Sequence, residues 1–375
     1  MAFIKWDGQS LPPALKAHVL LLVLSLLPTV VYIPYSLSVV LHAALTVYVG
    51  SWRSVKAEPP QESMTHRDAM KFPIVGSCVL FGLFLCFRYV PKWLVNLLLS
   101  GYITLMGAFA INTVALPFVN PLFSEDTRRK VLKLPSIPAI PFVSSEATPL
   151  ELTVPELLLC VPALGLGVWY ACTKHWLANN ALGIAFSLLG IESVSLSSFR
   201  IAATLLSGLF VYDIFWVFCT PVMVSVAKNF DAPIKLLFPR ESLRAMSAAA
   251  AAGAAAKPNF AMLGLGDIVI PGMFVALMLR YDVHSNFKSS YFQSVFWGYV
   301  GGLGTTIFVM NYFKAAQPAL LYIVPAVLLT VAAHAALRGE FRSLWHFQED
   351  HVVQQEAEQA AAAAAGEVIE DKKAQ

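Results

Sequence analysis

The sequence predicts an all-α polytopic membrane protein with nine transmembrane helices. Hydrophobic residues make up 57% of the 375 residues and charged residues only 13%, whereas soluble domains carry about 25% charged residues. The mean hydropathy of +0.65 is correspondingly high. Apolar runs of about 20 residues recur along the chain, and a helix of that length crosses the hydrocarbon core of a bilayer.

Nine candidate spans are found where apolar runs are bounded by charged residues, proline or glycine. They cover 36–51, 73–90, 94–117, 155–173, 177–194, 201–222, 260–279, 291–313 and 318–337. The spans divide the chain into an N-terminal bundle (36–194), a second transmembrane region (195–338) with a connecting loop at 228–259, and a polar tail (339–375).

An apolar leader, residues 1–35, precedes the first span. Three interpretations of its segment 15–33 stay open: it is cleaved, it spans the membrane, or it lies in the interface. With nine spans and the N-terminus outside the cytosol, 15 lysines and arginines face the cytosol and 11 face the other side. This small excess favours a lumenal N-terminus and a cytosolic C-terminus, and counting the leader as an extra span would change that assignment.

Charge and cysteine usage exclude several classes of function. The net charge of +3 is small and scattered, which predicts no nucleic-acid partner. All five cysteines fall inside apolar runs without metal-type spacing, so neither a disulfide framework nor a metal site is predicted. None of the eight histidines belongs to the two-histidine helix motif of zinc proteases, and no span contains a Gly-x-Ser-Gly element.

Three acidic residues lie inside the predicted spans, where a charged side chain costs about 2.5–3.5 kcal/mol by insertion scales. Glu192 lies near a span end and close to Arg200, so we expect it to be structural. Asp213 and Asp267 have no lysine or arginine nearby in sequence. The simplest arrangement is that the two aspartates face each other and share one proton. Such a pair performs acid–base chemistry, because one carboxylate takes a proton from water while the other donates one to a carbonyl oxygen.

The residues around Asp267 fit this hypothesis. Gly264, Asp267 and Pro271 follow each other at i, i+3 and i+7, which predicts a single helical face. Gly264 and Gly266 allow another backbone to approach closely, and Pro271 loosens the helix beyond the acid. The same features are ordinary in transmembrane helices, so the residues alone leave a protease and a proton-coupled transporter equally open.

Three motifs, in order, resemble the presenilin-type aspartyl proteases. They are Tyr212-Asp213 in one span, Gly264-Leu265-Gly266-Asp267 in the next, and Gln317-Pro318-Ala319-Leu320 at the start of the last. The flanking sequence is most similar to the signal peptide peptidase family, and to its plant and green-algal members in particular. This similarity is carried by Lys174-His175-Trp176 with Asn179-Asn180, by 210–219, by 232–236 and by 319–325, and it extends over about 51–339.

The resemblance implies a nine-span fold, intramembrane aspartic endopeptidase activity and no cofactor. It implies that Asp213 and Asp267 are catalytic and that Tyr212, Gly264, Leu265, Gly266, Gln317, Pro318, Ala319 and Leu320 shape the active site. From the residues alone, a proline at a helix start is equally typical of a first turn. The expected substrates are transmembrane peptides, above all signal-peptide remnants, in contact with membrane lipid. A homo-oligomer and quality-control partners in the endoplasmic reticulum stay open.

Two lysines near the C-terminus, Lys372 and Lys373, resemble the dilysine retrieval signal of endoplasmic reticulum membrane proteins. That signal acts on a cytosolic tail, which agrees with the orientation above. Two further functions stay open: a transporter using both aspartates as a proton relay, for which no internal repeat is found, and an enzymatically silent chaperone or adaptor of the same fold.

Overall fold

The computed structural model describes residues 13–55, 62–137, 148–230, 232–241, 259–314 and 317–349. The N-terminal bundle contains α1 (Pro13–Leu26), α2 (Tyr35–Arg53), α3 (His66–Tyr89), α4 (Lys92–Val119), α5 (Glu125–Arg128), α6 (Val154–Thr173) and α7 (Trp176–Ser193). The second region contains α8 (Phe199–Phe218), α9 (Val222–Asn229), α10 (Gly266–His284), α11 (Tyr291–Phe313), α12 (Leu320–Arg338) and α13 (Phe341–Trp345). Single 3-10 turns cover Leu27–Thr29 and Asn120–Leu122.

The helices confirm the polytopic α-helical fold class. Six of the described helices are long and apolar enough to cross a membrane, namely α2, α3, α4, α6, α8 and α12. The predicted spans at 177–194 and 291–313 coincide with α7 and α11, and the predicted span at 260–279 overlaps α10 from Gly266 onward; none of these three helices is among the six. Helices α7 and α10 lie largely in the protein interior, where they need little lipid-facing apolar surface. The number nine therefore stays a prediction.

Local sequence explains where several helices begin and end. Thr65 and Asp68 form a reciprocal capping box at the start of α3, and Thr153 and Glu156 form one at the start of α6. Lys174, with φ 50°, ends α6 in the left-handed conformation. Gly339 ends α12 with φ 67°, a conformation that glycine adopts without steric cost.

Three two-stranded sheets accompany the helices, which the all-α prediction omitted. A parallel pair joins β1 (Glu62–Met64) to β4 (Val194–Leu196), and an antiparallel hairpin joins β2 (Val131–Ile137) to β3 (Thr148–Thr153). The third sheet is antiparallel and joins β5 (Lys235–Pro239) to β6 (Phe260–Gly264), with Lys235 opposite Gly264 and Pro239 opposite Phe260. Strand β5 lies inside the segment 228–259 that was predicted to be a connecting loop.

The core is built around α10, which contacts α2, α7 and α11 along its length. Its central side chains, from Met273 to Leu279, are almost completely buried. The apolar leader is helical over α1, which packs against α2 and α7. The described tail continues past α13 to Glu349, which is buried, so its first residues pack against the bundle instead of extending away.

Candidate active site

Asp213 lies in the C-terminal third of α8, with only 5% of its surface exposed. Its Oδ2 atom accepts a hydrogen bond from the backbone N–H of Leu320 at 3.1 Å. Leu320 is the first residue of α12, and the first N–H groups of a helix have no partner within the helix. The start of α12 therefore supplies the hydrogen bond that holds the Asp213 carboxylate.

Asp267 lies in the first turn of α10, directly after strand β6 and a single turn residue. The Leu265 N–H donates to the Ile234 carbonyl oxygen at 3.0 Å, which continues the pairing of β6 with β5 up to the helix. The Tyr299 hydroxyl donates to the backbone carbonyl of Asp267 at 3.2 Å. Asp267 is thus held through its backbone by a strand on one side and by α11 on the other.

This geometry corrects the prediction of a helix over 260–279 with Asp267 seven residues inside it. Residues 260–264 are a strand, so Gly264, Asp267 and Pro271 do not share a helical face. The apolar run Phe260–Gly264 suits a strand or a helix equally by its composition. Hydrogen bonding to β5, which is distant in sequence, stabilises these residues as a strand.

The two aspartates come together in space although they lie 54 residues apart, at positions 213 and 267. The start of α12 links them, because Ala319 lines a cavity together with Asp267 and the next residue, Leu320, donates its backbone N–H to Asp213. Asp267 opens into a cavity of about 80 Å³, which is large enough for several water molecules. None of the described residues that line it is a lysine or an arginine: they are Tyr35, Val39, Ala261, Met262, Leu263, Asp267, Leu303, Thr306, Ile307, Met310, Gln317 and Ala319.

The glycines beside Asp267 have different surroundings. A Cβ atom added to Gly264 would lie 3.3 Å from the Asp267 Oδ2 atom, which is tighter than most contacts of a real Cβ. A Cβ atom added to Gly266 would meet nothing within 4 Å. Gly264 is therefore needed for space beside the carboxylate, whereas the space around Gly266 tolerates a side chain.

The structure gives the other predicted site residues different surroundings. Gln317 and Ala319 line the cavity at Asp267, and Leu320 contacts Asp213 through its backbone. Pro318 is buried just before α12 and does not line the cavity. The half-buried Tyr212 points its ring towards Trp216, with ring centroids 6.3 Å apart, and Gly76 on α3 also borders that ring.

Two asparagines hold the β5–β6 sheet, a function that sequence reasoning missed. The Asn180 side chain donates to the Leu237 carbonyl at 2.8 Å and accepts from the Leu237 N–H at 2.7 Å. The Asn179 side chain donates to the Lys235 carbonyl at 2.6 Å. Together they satisfy the edge of β5 that faces away from β6. The signal was available, because two consecutive buried amides in an apolar helix require polar partners.

The remaining buried acids are paired elsewhere. Glu192 forms an ion pair with Arg53 Nε at 2.7 Å. This contact agrees with the structural role expected for Glu192, but its cation is Arg53 and not Arg200, which is nearer in sequence. Arg200 instead donates to the Trp345 carbonyl and lies over its ring. Asp282 was missed, because α10 continues five residues beyond the predicted span end at 279.

Comparison with known proteins identifies the family. The sequence profile of signal peptide peptidase matches residues 56–351. Signal peptide peptidase of Mus musculus is 41% identical over 321 residues, covering 84% of this chain and 83% of its own length. The Homo sapiens protein of that name is 40% identical over 346 residues, covering 89% and 90%. A probable intramembrane protease of Schizosaccharomyces pombe is 33% identical over 318 residues, covering 82% and 92%.

The chain therefore belongs to the signal peptide peptidase family. It is a multi-pass membrane protein and an intramembrane aspartic protease, as the resemblance of its motifs implies. Nothing in these comparisons supports the transporter hypothesis.

Proposed function

We propose that Asp213 and Asp267 are the catalytic pair of this protease and that 195–338 is its catalytic region. One observation carries the proposal: the start of α12 joins acids from two separate helices, α8 and α10, since Ala319 lines the cavity at Asp267 and the adjacent Leu320 N–H donates to Asp213. Within the described residues the only hydrogen bond to either carboxylate is the one from the Leu320 N–H. Most of their oxygen lone pairs are therefore available for water and substrate.

The pair works as one acid and one base. Repulsion between two neighbouring carboxylates favours a state in which they share one proton. The ionised carboxylate takes a proton from water, whose oxygen bonds to the scissile carbonyl carbon, while the protonated carboxylate gives its proton to the carbonyl oxygen. The resulting gem-diol collapses when the C–N bond breaks and the leaving nitrogen takes a proton. The products are a peptide acid and a peptide amine.

Strand β6 supports the delivery of an extended substrate to this pair. Its last residue lies three positions before Asp267. The opposite edge of β5 is occupied by Asn179 and Asn180, and no third described strand pairs with β6. A substrate helix must open before its amide can be attacked, and the outer edge of β6 offers backbone partners for the opened segment.

The proposed substrates are signal-peptide remnants and other transmembrane helices in the endoplasmic reticulum membrane, with the N-terminus lumenal and the C-terminus cytosolic. The names of the mouse and human relatives support this substrate class. The excess of lysine and arginine on the cytosolic side supports the orientation. Lys372 and Lys373, which lie outside the described residues, are proposed as the retrieval signal on the cytosolic tail.

The test is the cleavage of a signal-peptide reporter by purified protein in liposomes. Asp213→Asn and Asp267→Asn should each lower the rate by on the order of 10⁴-fold, because a pair acting as one unit fails when either member is removed. The asparagine keeps the size of the side chain, so the thermal unfolding temperature should stay close to that of the wild type.

Asp282→Asn on the same helix is the control, because Asp282 is buried but does not line the cavity at Asp267. It should retain cleavage by the folded fraction, whatever its effect on stability. Cleavage at more than a few per cent of the wild-type rate by folded Asp267→Asn protein would contradict the proposal.

A further inference from the structure

One face of helix α11 contacts the backbone beside both aspartates. Tyr299 donates to the carbonyl oxygen of Asp267, and Thr306 contacts Ala319, the residue that precedes Leu320. Tyr299 and Thr306 are seven positions apart, which is about two helical turns, so their side chains lie on the same face of α11. Both residues are buried, and the catalytic proposal assigns no role to Thr306.

The Thr306 hydroxyl reaches the start of α12. It donates to the Gly302 carbonyl oxygen of its own helix at 2.9 Å and, more weakly, to the Ala319 carbonyl oxygen at 3.4 Å. Thr306 is only 6% exposed, and it lines the cavity at Asp267 together with Ala319. This side chain therefore joins the wall of the cavity to the first residues of the last long helix.

A single peptide unit connects Thr306 to Asp213. The carbonyl oxygen of Ala319 and the N–H of Leu320 belong to the same planar unit, and that N–H donates to Asp213 Oδ2 at 3.1 Å. Because the unit is rigid and trans, its C=O and N–H bonds point in opposite directions. A tilt or shift of the unit at its oxygen therefore moves the N–H that holds the carboxylate.

Thr306 differs from the other donors to the Ala319 oxygen in the helix to which it belongs. The N–H groups of Tyr322 and Ile323 also donate to this oxygen, both at 3.1 Å. They are part of α12 and move with it, so they do not fix the peptide unit relative to other helices. Thr306 is part of α11, which also holds the backbone of Asp267.

The backbones of α11 and α12 are in close contact one turn before Thr306. A Cβ atom added to Gly302 would lie 2.8 Å from the Ile323 Cα atom and 3.0 Å from the Tyr322 carbonyl oxygen. A glycine at such a point lets two transmembrane helices approach closely. This packing sets the height of α12 along α11, and hence the position at which the Thr306 hydroxyl meets Ala319.

We propose that Thr306 is a positioning residue for Asp213, because its hydroxyl holds the Ala319–Leu320 peptide unit in the orientation that directs the Leu320 N–H at the carboxylate. This inference rests on the proposed function, since it concerns how α11 aligns one member of the catalytic pair with the other. The hydroxyl acts on a group that holds a reacting carboxylate and not on the groups proposed to bind the substrate backbone. Its loss therefore lowers kcat and leaves KM close to the wild-type value.

The test is the reporter assay with two substitutions of Thr306, each referred to the folded fraction measured by thermal unfolding. Thr306→Val keeps the shape of the side chain but removes the hydroxyl, and it should lower kcat by about tenfold, in line with the sensitivity of catalysis to misplaced groups. Thr306→Ser keeps the hydroxyl but removes the methyl group, and it should retain most of kcat. A residue needed only for packing would give the opposite order, because serine leaves a void and valine does not.

Thr305→Val is the matched control. The exposed Thr305 side chain donates to the Gly301 carbonyl oxygen at 2.8 Å, which is the same bond within α11 that Thr306 makes to Gly302. Both valine variants lose this bond within the helix, so the difference in kcat between them isolates the contact with Ala319. The Thr305→Val protein should keep the kcat of the wild type.

Three results would overturn the inference. One is an equal kcat for Thr306→Val and Thr305→Val, and another is a loss of kcat in Thr306→Ser as large as that in Thr306→Val. The third is a loss in Thr306→Val that appears in KM and not in kcat, since Thr306 would then contact the substrate. In each case cleavage would still require Asp213, so these outcomes are distinct from a failure of the catalytic proposal, in which Asp213→Asn protein stays active.

Discussion

Helix α10 carries one acid near each end, and the two acids have opposite surroundings. At its C-terminal end, Asp282 accepts hydrogen bonds from the Ser289 hydroxyl at 3.0 Å and from the N–H groups of Tyr291 at 3.1 Å and Phe292 at 2.8 Å. At its N-terminal end, the Asp267 carboxylate receives no hydrogen bond from any described residue. Asp282 thus fixes the start of α11, whereas Asp267 faces a cavity.

The same contrast separates the two ends of the bundle. The end that contains Asp282 also holds the ion pairs Arg53–Glu192 at 2.7 Å and Arg280–Glu349 at 2.5 Å. We call the end of the bundle formed by Asp282 and these two ion pairs the polar end. Arg280 additionally donates to the hydroxyls of Ser54 and Ser195. Buried polar groups are normally satisfied in this way. Asp267, whose carboxylate receives no such hydrogen bond from the described residues, is therefore a candidate functional acid.

Breaking an ion pair at the polar end should have the largest effect on stability. In Glu192→Ala the Arg53 guanidinium stays buried without its partner carboxylate, which costs about 3–5 kcal/mol of unfolding free energy. Cleavage per folded molecule should not change. Denaturant titration of the detergent-solubilised protein measures the unfolding free energy, and the reporter assay measures cleavage per folded molecule.

Glu125→Ala is the matched control for that variant, because the Glu125–Arg129 pair is more than three-quarters exposed on both side chains. Its removal should have little effect on unfolding. If Glu192→Ala were as stable as Glu125→Ala, or if it lowered kcat in the folded protein, the division between the two ends would be wrong.

Crowding Asp267 should lower activity and leave stability unchanged, which is the reverse of the effect expected for Glu192→Ala. In Gly264→Ala the new Cβ atom lies 3.3 Å from Asp267 Oδ2, so the carboxylate has to shift by a few tenths of an ångström. We expect kcat to fall by about ten- to a hundredfold, in line with the sensitivity of catalysis to misplaced groups, while the unfolding transition stays close to that of the wild type.

Gly266→Ala is the matched control for Gly264→Ala, since its new Cβ atom would meet nothing within 4 Å. It should keep nearly full activity. Equal losses of activity in both alanine variants would show that backbone freedom, and not the space beside Asp267, is what the glycines provide.

Removing the Tyr299 hydroxyl should have the smallest effect. Tyr299→Phe deletes the hydrogen bond to the Asp267 carbonyl and should lower stability by about 1 kcal/mol, as for one buried hydrogen bond. The reporter assay should show only a small fall in kcat, since the contact reaches the backbone and not the carboxylate. A loss as large as that of Asp267→Asn would instead make Tyr299 part of the reacting group.

Most of the helices, and the presence of two acids in apolar stretches, could be predicted because their signals are local. A run of apolar residues predicts a span, and an acid inside that run is noticeable because placing its charge in the bilayer costs free energy. The predicted span 318–337 begins two residues before α12, which starts at Leu320, and only the structure reveals that the Leu320 N–H is directed at Asp213.

The features that were missed depend on contacts between distant parts of the chain. Whether Phe260–Gly264 is a strand depends on Lys235–Pro239, and the two segments are separated by about 20 residues that include the alanine-rich tract 248–256. Glu192 binds Arg53, 139 positions away, although Arg200 is only eight positions away. Sequence distance favours the nearer cation, but α2 and α7 pack together and bring the farther one into contact.

The most direct test of the catalytic pair uses a transition-state-analogue inhibitor of aspartic proteases that carries a photoreactive group. The wild type and Asp282→Asn should be labelled, and substrate peptide should compete with the label. Asp213→Asn and Asp267→Asn should both lose labelling while remaining folded. Labelling that persists in either of these two variants, or that is lost equally in folded Asp282→Asn, would contradict the assignment of catalysis to the Asp213–Asp267 pair.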